Sequence, residues 1–299
     1  MIQKRIILGD NDKIHVDTYI ISPKENNAKR PAVIVCPGGA YLQCSPREGE
    51  CVALKFNGAG YHAFVLEYST EATAPGRCEF PTQLLELKKV MALIWEHEKE
   101  WQIDTEQVNI LGFSAGGNLA GCYGSYWNSD LLKAEDRLAY RPAAVLLCYP
   151  LVDYVINEEE NSKSMSTIVD MGEVTGKVDM RQMMLELTHK SNKAIAGVEE
   201  MSNEDKMRLS PAYHISEDTP PTFIWHTFED HLVTVLQSLS YAAELKRHNI
   251  SCEIHVYEKG DHGLSLADET SALKQSQIEP HIATWFDLAV EWLQYRKRI

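Results

Sequence analysis

Short apolar runs recur along the chain, and longer stretches with one apolar face fall between them. Ala32-Val33-Ile34-Val35-Cys36, Ala63-Phe64-Val65-Leu66, Val108-Asn109-Ile110-Leu111, Ala143 to Cys148, Thr222 to His226 and Cys252 to Tyr257 each read as a strand. They are short and rich in β-branched residues, as strands buried on both faces of a parallel sheet are. Two earlier strands, Gln3 to Leu8 and Ile14 to Ile21, are different: in the second, Ile14, Val16, Thr18 and Ile20 alternate with His15, Asp17 and Tyr19. A polar loop from Pro23 to Arg30 separates them from the apolar runs. Helices are expected at about Glu48 to Asn57 (closed by Gly58 and Gly60), Phe80 to Glu100, from Asn118 onward, Leu232 to Arg247 and Ile278 to Tyr295. In the second of these, Leu84, Leu87, Val90, Met91 and Ile94 share one face. Apolar strands alternating with amphipathic helices predict an α/β fold. Its sheet should be mainly parallel, with right-handed crossovers and helices on both faces.

One stretch breaks the rhythm. Between Asp153 and Ser210 no strand is expected; there is an acidic turn (Glu158-Glu159-Glu160), a polar run and a short helical pattern near Met180 to Leu187. So long an excursion from a compact domain is either a surface loop or a lid; its place after the strand Ala143 to Cys148 favours a lid, an insertion at about 154–209 in a single domain of residues 1–299. Met180, Met183 and Met184 are candidates for an acyl pocket, although packing of that helix on its own body is the simpler expectation.

Composition narrows the function classes. At 44% hydrophobic and 24% charged residues the chain is ordinary for a globular protein, so disorder is not expected. A net charge of −14 argues against nucleic acid and anionic membrane surfaces as partners. The basic run Arg296-Lys297-Arg298 suits the C-terminal end of a helix. The seven cysteines form no C-x-x-C pair, and Cys36, Cys122 and Cys148 sit in apolar runs. They read as buried small hydrophobes in a reducing compartment, not as a disulfide frame or zinc site. No leader-like apolar segment or membrane-length run is visible, so the expected location is the cytoplasm.

The chemistry concentrates at Gly112-Phe113-Ser114-Ala115-Gly116-Gly117, between the strand ending at Leu111 and the expected helix. A serine held by glycines at a strand-to-helix turn is a nucleophile elbow, G-x-S-x-G. A bland reading, a glycine-rich turn with Ser114 as an N-cap, is the alternative. A serine hydroxyl needs a base, and the base needs an orienting carboxylate. After the strand Cys252 to Tyr257 comes Gly260-Asp261-His262-Gly263, which offers His262 as the base. After Thr222 to His226 comes Glu229-Asp230-His231, which offers Asp230 as the acid, with Glu229 as fallback. His226, Asp230, His231, Asp261 and His262 could instead ligate a metal, but no third motif at fixed spacing supports that, and neither metal nor cofactor is expected. His255, inside a strand, reads as structural. Pro37-Gly38-Gly39-Ala40-Tyr41 follows the first apolar strand with two glycines: alone it would read as a plain type II turn, but beside the elbow it reads as a loop that turns its N–H groups into a site, an oxyanion hole completed by the N–H of Ala115.

These four segments resemble the α/β-hydrolase superfamily, within it the group of hormone-sensitive-lipase-like and acetyl-xylan-esterase-like esterases. Pro37 to Tyr41 is similar to that group's P-G-G-G-Y, Gly112 to Ala120 to its G-F-S-A-G-G-H-L-A, His226 to Val233 to its H-T-x-x-D-x-x-V, and Gly260 to Gly263 to its G-x-H-G. The resemblance runs from about Pro31 to Leu293. It implies a triad of Ser114, Asp230 and His262, with Gly39, Ala40 and Ala115 as oxyanion donors. Three positions depart from the group: Ala40 stands for a third glycine, Asn118 for the elbow's usual histidine, and Thr234 for a proline after the acid. The last two put substrate preference in doubt.

The expected function is therefore hydrolysis of short-acyl carboxylic esters, acetylated sugars among them, with Tyr41 beside the oxyanion loop contacting substrate. The partner is then a small-molecule ester. A homodimer through an edge strand or surface helix is compatible with the sequence, which does not decide it. Alternatives are an amidase, formamidase or peptidase-like hydrolase using the same triad, acyl transfer to an alcohol, and a non-catalytic binding protein of the same fold.

Overall fold

The computed structural model describes residues 1–22, 28–132, 140–163, 168–170 and 177–297. Most of the expected loop at Pro23 to Arg30, and Arg298 of the basic run, lie outside them. Strands β1 (Ile2–Ile7) and β2 (His15–Ile20) open the chain, followed by β3 (Arg30–Cys36), helix α1 (Glu50–Gly58), β4 (His62–Glu67), α2 (Thr82–Glu96), α3 (Glu98–Trp101), β5 (Ile103–Phe113) and α4 (Ala115–Tyr126). After β6 (Ala144–Cys148) come α5 (Tyr154–Lys163), β7 (Ile168–Asp170), β8 (Lys177–Asp179), α6 (Met180–Ala196) and α7 (Asn203–Leu209). The chain closes with β9 (Thr222–Thr227), α8 (Leu236–Arg247), β10 (Cys252–Tyr257), α9 (Pro280–Ala283) and α10 (Trp285–Arg296).

Among the described residues eight strands form one sheet in the order β1-β2-β4-β3-β5-β6-β9-β10. Only the β1–β2 and β2–β4 pairs are antiparallel; from β4 to β10 every pair is parallel. The period-2 geometry of a strand sorts side chains between the two faces. In β3, Ala32, Ile34 and Cys36 join one core with Leu84 and Leu87 of α2, Leu119 and Tyr123 of α4, and Tyr241 and Leu245 of α8. Val33 and Val35 join the other, with Val52 and Phe56 of α1 and Trp285, Phe286 and Trp292 of α10. A mainly parallel sheet covered on both faces is the α/β architecture the sequence predicts, and it puts the C-terminal ends of β3, β5, β6, β9 and β10 along one edge, where a site can form.

Several boundaries differ from the sequence reading. The expected helix Phe80 to Glu100 is interrupted at His97 (φ −99°, ψ 12°), which turns Trp101 inward against Phe64, with ring centroids 5.7 Å apart. Helix α8 starts at Leu236, not Leu232, because the N–H groups of Leu232 and Val233 are turned to Asp230 instead. The C-terminal helix is divided at Thr284. Between Asp153 and Ser210, where no strand was expected, β7 and β8 pair antiparallel over three residues each, too short a run to show as a pattern. The helix there is also longer than its apolar pattern, reaching Ala196, with Ala194 and Ile195 buried in the main core. No helix among the described residues is long and apolar enough to cross a membrane.

Candidate active site

Ser114 lies between β5 and α4 with φ 51° and ψ −114°, a conformation that costs a non-glycine residue about 1–3 kcal/mol. The surroundings hold it there. Its N–H donates to the Cys148 carbonyl (3.0 Å), and its own carbonyl accepts from Asn118 N–H (3.0 Å) and Leu151 N–H (3.3 Å). The flanking glycines are required by proximity alone. A Cβ on Gly112 would stand 2.1 Å from the Gly116 carbonyl oxygen, and one on Gly116 would stand 2.1 Å from that of Cys36. Strand and helix backbones are in contact here, so the hydroxyl is thrust out at the sheet's edge.

His262 reaches it from the loop after β10. Its Nε2 is 2.8 Å from Ser114 Oγ and its Nδ1 is 2.7 Å from Asp230 Oδ2. That loop turns at Gly260 (φ 130°), whose carbonyl accepts from Thr227 Oγ1 (2.8 Å), tying the base loop to the end of β9. Asp230 Oδ1 accepts the N–H groups of Leu232 and Val233, both at 2.9 Å. Its Oδ2 also faces Nε2 of the fully buried His226 at 3.2 Å. That nitrogen faces the Val233 carbonyl too (2.8 Å), so it carries the proton, and Nδ1 accepts from Ser238 Oγ (2.7 Å). Burial works against charge on Asp230, but His262 and His226 beside it win, holding the carboxyl well below the usual carboxylate range. Asp230 therefore stays an anion that orients His262. Glu229, the fallback acid, is exposed, as are His231 and Asp261. Among the described residues no three His, Cys, Asp or Glu side chains gather as a metal site requires.

The loop after β3 runs beside the serine. Gly39 (φ 124°), Ala40 (φ 57°) and Tyr41 (φ 58°) are successive left-handed residues, and a Cβ on Gly39 would meet the Gln43 carbonyl oxygen at 2.0 Å. Leu42 N–H and Gln43 N–H turn back to the Gly39 carbonyl. Among the described residues no backbone carbonyl takes the N–H of Gly39, Ala40 or Ala115. Tyr41 departs from expectation: it is 2% exposed, its hydroxyl donates to Asn118 Oδ1 (2.7 Å), and it stands edge-on to Tyr68. It supports the loop from behind instead of facing a ligand. Asn118 is occupied as well, donating from Nδ2 to the Leu209 carbonyl (2.9 Å), so this departure from the esterase pattern links the loop to α7. Thr234 lies in the turn before α8, its carbonyl accepting from Gln237 N–H (3.0 Å).

A cavity of about 60 Å³ opens at Ser114, lined on the body side by Ala40, Ala115, Leu151, Leu232 and Val233. Its other wall comes from α5 and α6: Tyr154, Asn157, Met184, Leu187, Thr188, Ser191 and Asn192. Met184 is thus in the pocket wall, not packed only on its own body, while Met183 is exposed. A second cavity, about 210 Å³, shares Tyr154, Asn157, Thr188 and Asn192 with the first and adds Glu158, Arg181, His189, Glu199 and Lys206.

Two further residues belong to the site although no motif marks them in the sequence. Glu48, buried, accepts from Gly38 N–H and from Tyr149 Oη, and Tyr149 (φ 38°) follows β6 with its ring edge-on to His262 at 5.0 Å between centroids. No motif joins positions 48 and 149, so only the fold brings them together. The glutamate that follows Arg47 at the end of the glycine loop was the available signal for the first.

The chain is similar to several known proteins. The chain is 27% identical over 82% of its length to endo-1,4-beta-xylanase B of Butyrivibrio fibrisolvens, and 25% identical over 86% to an acetylxylan esterase of Xylanibacter ruminicola. It spans 34% and 45% of those two proteins, less than half of each. The crystal structure of a sugar hydrolase (YeeB) from Lactococcus lactis is similar over 99% of both chains, with a TM-score of 0.75 and 30% identity. The BD-FAE family model matches residues 17–245, a span that holds the glycine loop, the elbow and Asp230 and stops short of His262. With most of the chain matched, and with a sheet of this order, the protein belongs to the BD-FAE family of the α/β-hydrolase fold.

Proposed function

We propose that this protein is a serine carboxylic-ester hydrolase for short-acyl esters of polar alcohols, acetylated sugars among them. The observation that carries the reading is the hydrogen-bonded row Ser114–His262–Asp230 opening on a small apolar cavity. Ser114 Oγ attacks the ester carbonyl carbon as its proton passes to His262 Nε2, and the N–H groups of Gly39, Ala40 and Ala115 receive the oxyanion. Collapse breaks the bond to the alcohol oxygen, which takes the proton from His262. Water then gives a proton to His262, attacks the acyl-enzyme and releases the acid, returning Ser114 Oγ its proton.

Substrate size follows from the cavities. About 60 Å³ has room for about five water-sized groups, which suits an acetyl, propionyl or butyryl chain. The neighbouring cavity carries Asn157, Glu158, His189 and Asn192, groups able to hydrogen-bond the hydroxyls of an alcohol such as a sugar. The similarity to an acetylxylan esterase and a sugar hydrolase supports that class. We read residues 1–299 as one α/β-hydrolase domain with 154–209 as its lid, since α5 and α6 supply one wall of the acyl cavity. The free cysteines favour a reducing compartment, and we place the protein in the cytoplasm, where soluble fragments of an acetylated polymer would be its substrates. The test is hydrolysis of p-nitrophenyl esters from acetate to octanoate with Ser114→Ala in parallel. Turnover that depends on Ser114 and declines beyond butyrate is expected; wild-type turnover that survives the substitution would overturn the reading.

A further inference from the structure

Two short segments flanking Ser114 must keep register for the proposed chemistry: the glycine loop after β3 and the loop that carries His262. One dipeptide holds both. Arg47 Nη1 donates to the carbonyl of Gly263, the residue after His262, at 2.8 Å, and its Nε donates to the Ser271 carbonyl at 2.6 Å. The Arg47 carbonyl in turn accepts from Ser265 Oγ (2.6 Å). Its neighbour Glu48 faces the other way. Oε2 accepts from Gly38 N–H (2.7 Å), and Oε1 accepts from Tyr149 Oη (2.5 Å), which itself accepts from Ser265 N–H (2.9 Å). The carboxyl group is buried, and a Cβ on Gly38 would stand 2.9 Å from Glu48 Oε2 and 3.0 Å from Ser114 Cβ, so Glu48 lies immediately behind the nucleophile.

We propose that Glu48 is a positioning residue of this site, a second carboxylate that sets the oxyanion loop through Gly38 and the His262 loop through Tyr149 and supports the imidazolium formed during turnover. The proposal rests on the esterase reading above. A buried carboxylate with no catalytic or packing task is expensive to keep, yet both of its oxygens here meet donors on the two loops the reaction uses. The groups facing His262 are Ser114, Asp230 and Tyr149, with Glu48 behind Tyr149 and Arg47 on the carbonyl of Gly263; His226 reaches it through Asp230. Glu48 faces Gly38 and Tyr149, with the Arg47 guanidinium and His262 as neighbouring charges.

The hydrogen bonds define what the substitutions should do. In Glu48→Gln, kcat for p-nitrophenyl acetate falls about 10–100-fold with KM little changed, the effect of misplaced reacting groups. Tyr149→Phe cuts the link to Ser265 while keeping the carboxylate, so kcat falls there too with KM held. Circular dichroism and thermal melts accompany both. A folded Glu48→Gln protein with the wild-type kcat overturns the proposal, as does one in which KM rises while kcat holds. Should Glu48→Gln not fold, Tyr149→Phe decides, and wild-type kcat in that variant overturns it. Ser114→Ala separates the two readings: hydrolysis that survives it sinks the esterase assignment, whereas Ser114-dependent hydrolysis indifferent to Glu48 sinks only this inference.

Discussion

The sheet that presents Ser114 and the described residues of 154–209, proposed above as a lid, are built by different rules. In the sheet, backbones touch: Gly112 and Gly116 have no room for a methyl group, β6 and β9 are buried at every position, and β3 and β5 are buried along the ends that lead to the site. In the segment, α6 carries Met183 and Leu185 exposed, and its C-terminal end, at Ala194 and Ile195, joins the main core. Its ties to the body include the Leu209 carbonyl to Asn118, the Arg208 carbonyl to Tyr126 and the Ile195 carbonyl to Phe80 N–H, and an ion pair joins Lys206 of α7 to Glu158 of α5 within the segment itself. The sheet holds the proposed triad, and the proposed lid would set what enters.

The sharpest way to break that contrast is at the nucleophile. Ser114→Ala should fold normally and lose about 10⁴–10⁶-fold in kcat on p-nitrophenyl acetate. Comparable stability with substantial residual rate would show that the sheet does not carry the chemistry. Next in size is Gly116→Val, which forces side-chain atoms into the Cys36 carbonyl; destabilisation above about 4 kcal/mol, or no folded product, is expected in chemical unfolding. A melting temperature near wild type would contradict the close backbone contact.

A third prediction concerns acid stability of the sheet. Burial holds His62, at the start of β4, down to about 4, where its Nδ1 accepts from Ile21 N–H. Between pH 6.5 and 4 the unfolded chain therefore binds a proton that the folded chain refuses, and stability present above pH 6.5 is lost as the pH falls. Over that window wild type should lose roughly 2–3 kcal/mol more than His62→Gln, which keeps an acceptor but does not titrate. Equal pH slopes in melts of the two proteins would remove His62 from the account. The comparison of variants is needed because burial raises Glu48 and Glu86, which bind protons earlier in the folded state and act in the opposite direction. The smallest effect belongs to the cover. Met184→Ala enlarges the acyl cavity and should improve hexanoate relative to acetate by about tenfold in kcat/KM, with little change in unfolding midpoint. An unchanged chain-length profile would place the acyl group elsewhere.

The same contrast explains what could be read from the sequence. Strands such as β3 and β6 are apolar on both faces because both faces are buried, so their runs stand out, and the motifs at Ser114, Asp230 and His262 sit at strand ends where backbone demands glycine or a turn. Within 154–209 the pattern is weaker. Helix α6 packs through few residues, so only part of it shows periodicity, and the β7–β8 pair is too brief to alternate. Residues whose roles come from long-range contact were illegible for another reason. Glu48 and Tyr149 lie 101 positions apart, Tyr41 turned out to face Asn118 behind the loop, and His226 reads as a strand residue until Asp230 is seen beside it.

The absent methyl groups at Gly112 and Gly116 have a practical consequence for anyone who would retune this protein by directed evolution. Random mutagenesis of the whole gene would waste most of its diversity near the elbow, because almost every codon change at those two positions discards the fold along with the activity. A library that freezes residues 112–117 and randomises Asn157, Met184, Leu187 and Thr188 would search acyl and alcohol preference almost independently of foldability. The steric economy of one turn thus divides the gene into a part to leave alone and a part worth screening.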